Sequence, residues 1–308
     1  MNRAAPGPRV TVAVITRDRR PELLHTLDRL AEVPERPPVV VVDNGSRDGT
    51  AAAVAAAHPR ALLLTPGRNL GACGRNLAAR HVRTPYLAFS DDDSWWEPGS
   101  LDRAADLLDA HPTVGAVTGR ITVHPPAGED GAPREDPITE ELRHSPVPTP
   151  SWLPGPALGS FLAAATVLRT DAFRAAGGFS PRLHLGGEEE LLAADLAADG
   201  WWLVFADDLT VHHRPSRRRD STDRRIRGLR NTLWYGWLRR PWRSALPRTA
   251  RIAAGAPRDA ATLRALGQAA AGLPWVLRER RPVPAVVEER LRALDDAQRR
   301  STARRYVG

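Results

Sequence analysis

The sequence predicts an α/β fold with a mostly parallel sheet flanked by helices, followed by a helical, basic C-terminal extension. Short β-branched apolar runs alternate with helical patterns from Val10 to Ala110, which is typical of βαβ units. From Pro215 onward the composition changes to Arg, Trp and Ala, and no further strand pattern occurs. We therefore expect an α/β domain over residues 1–214 and a helical region over residues 215–308.

The elements of the first half follow one another regularly. Apolar runs predict the strands Val10–Ile15, Val39–Val42, Ala61–Leu64, Tyr86–Phe89 and Val114–Val123. Apolar residues at helical spacing and capping residues predict the helices Arg20–Val33, Asp48–Ala57, Leu70–Val82 and Gly99–Ala110. Parallel sheets bind ligands beyond the carboxyl ends of their strands, which is where Asp43 and Asp91 are expected.

The second half of the domain is less regular. His124–Pro154 is rich in Pro and charge and is predicted as a long loop, a kind of segment that is usually functional or mobile. Beyond it we predict two helices and two strands, over Thr170–Ala176, Glu188–Ala198, Trp201–Phe205 and Leu209–His213. We divide the domain into a nucleotide-binding half near residues 10–123 and an acceptor half near residues 124–214.

Composition excludes several classes of protein. With 42% hydrophobic and 26% charged residues, the chain is neither disordered nor fibrous. The net charge of +8 favours anionic partners, and Cys73 as the only cysteine excludes a disulfide or a cysteine-ligated metal. Residues 1–8 carry no signal-peptide pattern, and no apolar run is long enough to span a bilayer. We expect a cytoplasmic protein that acts at most at the inner face of the membrane.

Three adjacent carboxylates, Asp91, Asp92 and Asp93, directly follow a predicted strand. Because such groups repel one another unless a cation or donor groups compensate them, they indicate a ligand. A divalent cation, Mn²⁺ or Mg²⁺, takes carboxylate oxygens and bridges phosphates, and the alternate residues Asp91 and Asp93 suit that role. The alternative is a solvated acidic turn or a helix N-cap.

Four ordered blocks resemble a known family: VTVAVITRDRRPELLHTLDRL, VVVVDNGSRDGTAAAV, GRNLGACGRNLAAR and PYLAFSDDDSWWEPGSL. They resemble the donor-binding half of family 2 glycosyltransferases of the GT-A fold, and GGEEELLAADLAADGW extends the match. The DNGS sequence resembles the variant of rhamnosyl- and galactofuranosyl-type members. The resemblance implies metal-assisted, inverting transfer of a sugar from a nucleoside diphosphate. The acceptor would be a hydroxyl of a glycan, of a lipid-linked substrate or of a small molecule.

The resemblance also implies roles for individual residues. Asp43 would bind the base of the nucleotide, and Asp91 and Asp93 would form the DxD pair that holds ribose and metal. Further positions expected at the donor are Thr16, Arg17, Asn44, Gly74, Arg75, Asn76 and Asp92. Family members often carry a histidine as a third metal ligand, which implies His212 or His213. Since side chains alternate along a strand, only one of these two should face inward.

The acidic start of the helix at Glu188, Glu189 and Glu190 is expected to provide the catalytic base. An alcohol is a poor nucleophile, so a carboxylate that accepts its proton makes chemical sense. Glu189 matches the family's Asp, and Glu188 and Glu190 remain alternatives. The competing interpretation is a helix start whose acids are favoured only by the macrodipole.

Arg224–Arg240 predicts an amphipathic helix with an apolar stripe formed by Ile226, Leu229, Leu233, Trp234 and Trp237. Trp beside Arg suits a membrane interface, so a peripheral membrane contact is one hypothesis, and packing of the stripe on the domain is the other. Further helices are predicted over Leu263–Leu277 and Val286–Tyr306.

Two other function classes compete with a glycosyltransferase. A nucleotidyltransferase of a related fold would show a Gly-rich phosphate signature near the first strand, but the loop there reads TRDRR. A non-catalytic Arg-rich module for nucleotides or membranes would not need the acidic triplet. We therefore predict a transferase that uses a nucleotide-sugar, and we expect no nucleic-acid partner.

Overall fold

The computed structural model describes residues 7–215 and 221–300 of the chain. Strands and helices alternate in its first half, in agreement with the periodicity of the sequence. These elements are β1 (Val10–Thr16), α1 (Arg20–Glu32), β2 (Val39–Asp43), α2 (Thr50–Ala57), β3 (Leu62–Leu64), α3 (Gly74–Ala79) and β4 (Tyr86–Asp91).

The second half of the domain mixes short and long elements. They are β5 (Ser94–Trp96), α4 (Ser100–Ala110), β6 (Val114–Val123), β7 (Arg134–Glu135), α5 (Pro137–Arg143), β8 (Thr166–Arg169), α6 (Thr170–Ala175), α7 (Glu188–Ala198) and β9 (Trp202–His213).

Within the described residues the strands form one sheet in the order β3-β2-β1-β4-β8-β6-β9-β5, and β7 pairs with β6. The first four strands are mutually parallel, whereas β8 is antiparallel to both β4 and β6. The predicted α/β class is thus confirmed, with antiparallel strands added beyond the parallel half. Thr16 pairs with Asp43, and Ile15 pairs with Asp91, so these strand ends meet at one edge.

Two apolar clusters enclose the sheet. Helices α1 and α4 bury leucines such as Leu27 and Leu108 against one face. Helices α3, α6 and α7 bury Phe173 and Leu192 against the other face. Because full burial of one such side chain stabilises a fold by about 1.5–3 kcal/mol, these two layers hold the strand ends rigidly.

The predicted loop His124–Pro154 is only partly irregular, since it contains β7 and α5. Asp136 caps α5 by accepting a hydrogen bond from the Ile138 amide (2.9 Å), and Pro137 occupies the first turn. Both residues are ordinary helix-start signals that the proline-rich composition of the segment obscured.

Two other predicted boundaries were wrong. The helix expected over Leu70–Val82 begins only at Gly74, because Gly71 adopts a left-handed φ of 59° that an α-helix does not allow. The two strands predicted at the end of the domain form the single strand β9. Its register against β6 shifts near Arg120, which accommodates the exposed Asp207 within the strand.

The C-terminal region is helical where the structure describes it. Its elements are α8 (Ser221–Arg239), α9 (Trp242–Gly255), α10 (Ala260–Ala271), α11 (Leu273–Glu279) and α12 (Ala285–Arg300). The helix predicted over Leu263–Leu277 is divided between α10 and α11 at Gly272. The end of the helix predicted over Val286–Tyr306 lies outside the described residues, as does the start of the chain up to residue 6.

The apolar stripe of α8 packs inside the protein. Ile226, Leu233, Trp234 and Trp237 are all buried, and Trp234 donates its indole N–H to the Ala269 carbonyl of α10 (3.0 Å). The packing hypothesis therefore accounts for this stripe. No helix among the described residues is long and apolar enough to cross a membrane. The boundary near Pro215 stays a prediction.

Candidate active site

Arginines surround the acidic triplet at the end of β4. Arg19, just before α1, contacts both Asp92 Oδ1 (2.6 Å) and Asp93 Oδ2 (2.7 Å). Arg75 of α3 pairs with Asp91, whose side chain is 44% exposed, whereas that of Asp93 is only 3% exposed. The compensation that three adjacent carboxylates require therefore comes from two guanidinium groups on different elements.

The two buried carboxyls of the triplet titrate very differently. Burial raises the pKa of Asp92 to about 7. Attraction to Arg19 opposes this rise, and repulsion from Asp93 and Asp91 adds to it. Burial would also raise the pKa of Asp93, but hydrogen bonding and charge from His213, together with Arg19, lower it to about 2. Asp93 is therefore the member of the pair that remains ionised at every physiological pH.

His213 and His212 point to opposite faces of β9. His213 Nε2 lies 3.6 Å from Asp93 Oδ1. His212 instead contacts Glu97 through Nε2 and lies 2.9 Å from His124 Nε2 through Nδ1. One histidine therefore faces the acidic triplet, as alternation along a strand requires, and it is His213.

Asp43 and Asn44 lie at the end of β2, beside the triplet. Asp43 is buried and accepts a hydrogen bond from the Ser46 amide through Oδ1 (2.7 Å). Asn44 donates from Nδ2 to the Gly71 carbonyl (3.2 Å) and accepts from the Leu70 amide (3.2 Å). An aspartate at position 44 could accept but not donate, so the amide explains why Asn suits this loop contact.

The three residues of the GRN sequence, Gly74, Arg75 and Asn76, make different contacts. Arg75 faces Asp91 and stacks against the rings of Phe89 and Phe179, each 5.7 Å from its Cζ. Asn76 lies elsewhere, because its side chain both donates to and accepts from the Phe179 backbone (2.8 Å each). Gly74 permits close packing, since a Cβ there would lie 3.0 Å from Ile15 Cγ2.

The two residues at the end of β1 that were expected at the donor, Thr16 and Arg17, differ in their exposure. Thr16 is buried and donates its hydroxyl to Asp92 Oδ2 (2.9 Å). Arg17 is exposed and lies 3.6 Å from Asp18. Sequence reasoning did not single out Arg19, although the need to neutralise the triplet and the TRDRR sequence were signals that could have found it.

The acidic start of α7 is buried to different degrees. Glu188 is buried, and among the described residues its Oε2 atom has no hydrogen-bond partner. Glu189 is half-buried and accepts a hydrogen bond from the Ala163 amide (2.5 Å), whereas Glu190 lies beside Tyr235 in a small cavity. Burial raises the pKa of both Glu188 and Glu189, and their mutual repulsion adds to the shift of Glu189.

Arg75 connects the two acidic groups. It pairs with Asp91 and is also close enough to Glu188 and Glu189 to oppose the rise in their pKa. The start of α7 therefore lies near the same edge of the sheet as the acidic triplet. A buried carboxylate oxygen with no partner at such a place is an unsatisfied acceptor that a hydroxyl group could fill.

Tryptophans next to the triplet pack in the core. Trp95 and Trp96 are buried, and Trp96 donates its indole N–H to the Phe89 carbonyl (3.2 Å). The Trp95 ring contacts His25, His124 and His212. This group of rings packs around β5, next to the triplet.

The residues at this edge fit a divalent cation that keeps open coordination positions. Across residues 7–215 and 221–300 no three His, Cys, Asp or Glu side chains are close enough to hold a metal by themselves. Asp93 and His213 offer one carboxylate oxygen and one imidazole nitrogen. Mg²⁺-type sites commonly use one or two carboxylates and take their other ligands from phosphates and water.

Comparison with known proteins finds similarity to glycosyltransferases. Residues 11–155 match the model of glycosyl transferase family 2. The N-acetylglucosaminyl-diphospho-decaprenol L-rhamnosyltransferase of Mycobacterium tuberculosis is 29% identical over 279 residues, which cover 76% of this chain and 88% of that protein.

Solved structures share the fold. The mannosyltransferase PcManGT from Pyrobaculum calidifontis, in complex with GDP-Man and Mn²⁺, matches 98% of this chain and 84% of its own, with a TM-score of 0.58 and 24% identity. GalNAc-T7 with UDP, GalNAc and Mn²⁺ matches 90% of this chain and 57% of its own, with a TM-score of 0.61 and 14% identity. The sequence match and the shared architecture agree: residues 11–155 are similar to glycosyl transferase family 2, and the chain is a glycosyltransferase of the GT-A fold.

Proposed function

We propose that this glycosyltransferase moves a sugar from a nucleoside diphosphate to a hydroxyl acceptor with inversion at the anomeric carbon. The observation that carries the proposal is the pair formed by Asp93 and His213 at the carboxyl edge of the sheet, 3.6 Å apart. Asp43 ends the neighbouring parallel strand β2 at the same edge. Parallel sheets bind nucleotides at this kind of position.

Asp93 and His213 would hold the divalent cation, with Asp91 near the ribose. A cation bound there stabilises the charge that develops on the leaving diphosphate. Asp93 suits this role because its low pKa keeps it anionic. Arg75, paired with Asp91, adds positive charge on the side of the glutamates. GDP-Man with Mn²⁺ in PcManGT and UDP with Mn²⁺ in GalNAc-T7 support this assignment.

Glu189 would accept the proton of the acceptor hydroxyl. As the oxygen bonds to the anomeric carbon, the bond from that carbon to the diphosphate breaks, and the proton passes to the carboxylate. The raised pKa of Glu189 makes it a stronger base than a solvent-exposed glutamate. Glu188, with its unpartnered Oε2, is the alternative base, and Glu190 lies in the cavity that Arg240 lines.

The acceptor class we favour is a hydroxyl on a lipid-linked glycan. The M. tuberculosis relative is named for transfer of L-rhamnose to an N-acetylglucosaminyl-diphospho-decaprenol, and the alignment covers 88% of it. A deoxyhexose donor carried by a nucleoside diphosphate fits the same relationship.

A thermal-shift panel tests the donor half of the proposal. UDP, GDP, dTDP and CMP are each added with Mn²⁺, Mg²⁺ or EDTA to wild type and to Asp93→Ala. A nucleotide present at a hundred times its Kd stabilises the native state by about 2.7 kcal/mol, or about 4 °C for a chain of this length. We expect one diphosphate to require both the cation and Asp93. No response to any nucleotide would contradict the proposal.

We further propose that an anionic membrane surface contacts α9 and not the buried stripe of α8. Helix α9 contains no acidic residue. Its Trp242 and Leu246 are 38% and 59% exposed, and Arg243 and Arg251 are exposed on the same helix. Exposed apolar side chains beside arginines suit the headgroup region of acidic lipids. In liposome flotation, Leu246→Glu should reduce binding to anionic vesicles, and equal flotation of both proteins would exclude this surface.

A further inference from the structure

The loop that precedes the catalytic helix has an unusual backbone. It covers residues 183–187 and leads directly into the three glutamates of α7. His184, Gly186 and Gly187 have φ values of 64°, 87° and 81°, in the left-handed region. A histidine in that region is strained, so surrounding contacts must hold the loop in place.

Asn231 in the middle of α8 makes such contacts. Its side chain is inaccessible to solvent, and Nδ2 donates to the carbonyl oxygens of Leu183 (2.9 Å), Leu185 (3.2 Å) and Gly186 (2.5 Å). Its Oδ1 atom accepts from Arg230 Nε (2.9 Å), which fixes the orientation of the amide. The two amide hydrogens of one side chain in the C-terminal region are thus shared among three carbonyls of this loop.

The opposite side of the same loop contacts the donor half. The His184 carbonyl accepts a hydrogen bond from the Ala72 amide (2.7 Å). Gly71 has no space for a Cβ, which would clash with that carbonyl and with the His184 ring. The loop therefore lies between Asn231 and the segment that leads to Arg75.

A buried amide in a helix interior is unfavourable unless its polar atoms are paired. Leucine at position 231 would suit the apolar surroundings of α8 but could not bind the carbonyls. Close packing also depends on the neighbouring glycine, because a Cβ on Gly187 would lie 3.2 Å from Asn231 Cβ. The pairing of Asn231 with this loop is thus specific in both hydrogen bonding and shape.

We infer that Asn231 is a positioning residue for sugar transfer, which holds the 183–187 loop so that Glu188 and Glu189 face the acceptor hydroxyl. The inference rests on the proposed role of these glutamates. It assigns the C-terminal helical region a part in the reaction, because α8 supplies the hydrogen bonds to the carbonyls of Leu183, Leu185 and Gly186.

The test compares Asn231→Asp and Asn231→Ser with Trp237→Phe. Asn231→Asp keeps the shape of the side chain but has no donor for the carbonyls, whereas serine retains one. Trp237→Phe removes a part-buried hydrogen bond between the same helix and α9, from Trp237 Nε1 to Thr249 Oγ1 (2.8 Å). It therefore serves as the control for a general loss of stability.

We expect Asn231→Asp to lower kcat at least tenfold and Asn231→Ser to lower it less. Nucleotide affinity should change less than threefold, because Asp43, Asp93 and His213 are held by other elements. In Asn231→Ser, which adds no charge, water entering a loosened loop should lower the pKa of the buried glutamates and shift the acid limb of kcat to lower pH, while Glu190, which raises these pKa values, and Arg75, which lowers them, stay unchanged. An equal loss of kcat in Trp237→Phe, or an unshifted limb, would overturn the inference.

Hydrogen exchange of the amides in residues 183–190 and Ala72 separates this inference from the proposed function. Faster exchange there in Asn231→Asp, but not in Trp237→Phe, supports the holding role without any turnover assay. Unchanged exchange contradicts it. A wild-type protein that transfers no sugar from any donor would refute the proposed function, and the exchange result would then decide the holding role alone.

Discussion

Arg19 contacts Asp93, the residue that we propose as a cation ligand, and its replacement tests how the acidic site is built. We consider Arg19→Met, which keeps the length and apolar stem of the side chain but removes its charge. The guanidinium contacts Asp92 and Asp93 at 2.6 and 2.7 Å, and these carboxylates are 7% and 3% exposed. Without Arg19 they would repel each other in a region that water barely reaches.

Removing one partner of a buried ion pair costs about 3–5 kcal/mol. Asp92 can relieve part of this cost by taking up a proton, since its pKa is already about 7. We therefore expect the lower end, about 3 kcal/mol, which lowers the Tm of a protein of this length by about 5 °C. A divalent cation would replace the lost charge. If it recovers about half of that energy, Mn²⁺ binds about tenfold more tightly, since about 1.4 kcal/mol corresponds to a factor of ten.

The assay is a Mn²⁺ titration followed by the electron paramagnetic resonance signal of the free ion, together with Tm values in EDTA and in Mn²⁺. Arg20→Met is the matched control, because Arg20 is the exposed neighbour of Arg19. Mn²⁺ should restore about half of the Tm lost by Arg19→Met. Weaker or unchanged Mn²⁺ affinity in Arg19→Met would refute the idea that Arg19 and the cation compete for Asp93.

Three further predictions concern the base and the C-terminal helices. Glu189→Gln should abolish turnover in a transfer assay while keeping donor binding, and normal rates would exclude Glu189 as the base. Because burial raises the pKa of both glutamates above the usual 4.5 and the base must be ionised, kcat should rise with pH through that raised pKa. An acid limb near the usual value would contradict this. Arg240→Met leaves the buried Glu288 unpaired, so calorimetry should show a Tm lower by about 5–8 °C. A change below about 1 °C would mean that the pair contributes little.

Local sequence patterns determined most of the first half of the fold. Val10–Thr16 and Val39–Asp43 are β-branched apolar runs typical of buried parallel strands, and the helical spacing of Leu23, Leu27 and Leu30 predicted α1. The mistakes came where a single residue overrides a pattern. Gly71 delays α3, and Asp136 begins a helix inside a segment that looked like a loop.

The sequence by itself also determined the acidic triplet, the acidic start of α7 and the rule that only one of two adjacent histidines faces inward. Only the tertiary structure decided that this histidine is His213, since that depends on the register of β9 against β5. It likewise brought Arg19 to the triplet and Asn231 to the 183–187 loop. These contacts join residues 45 or more positions apart in the chain. Local sequence periodicity cannot predict such contacts, because they depend on how distant helices and strands pack together in space.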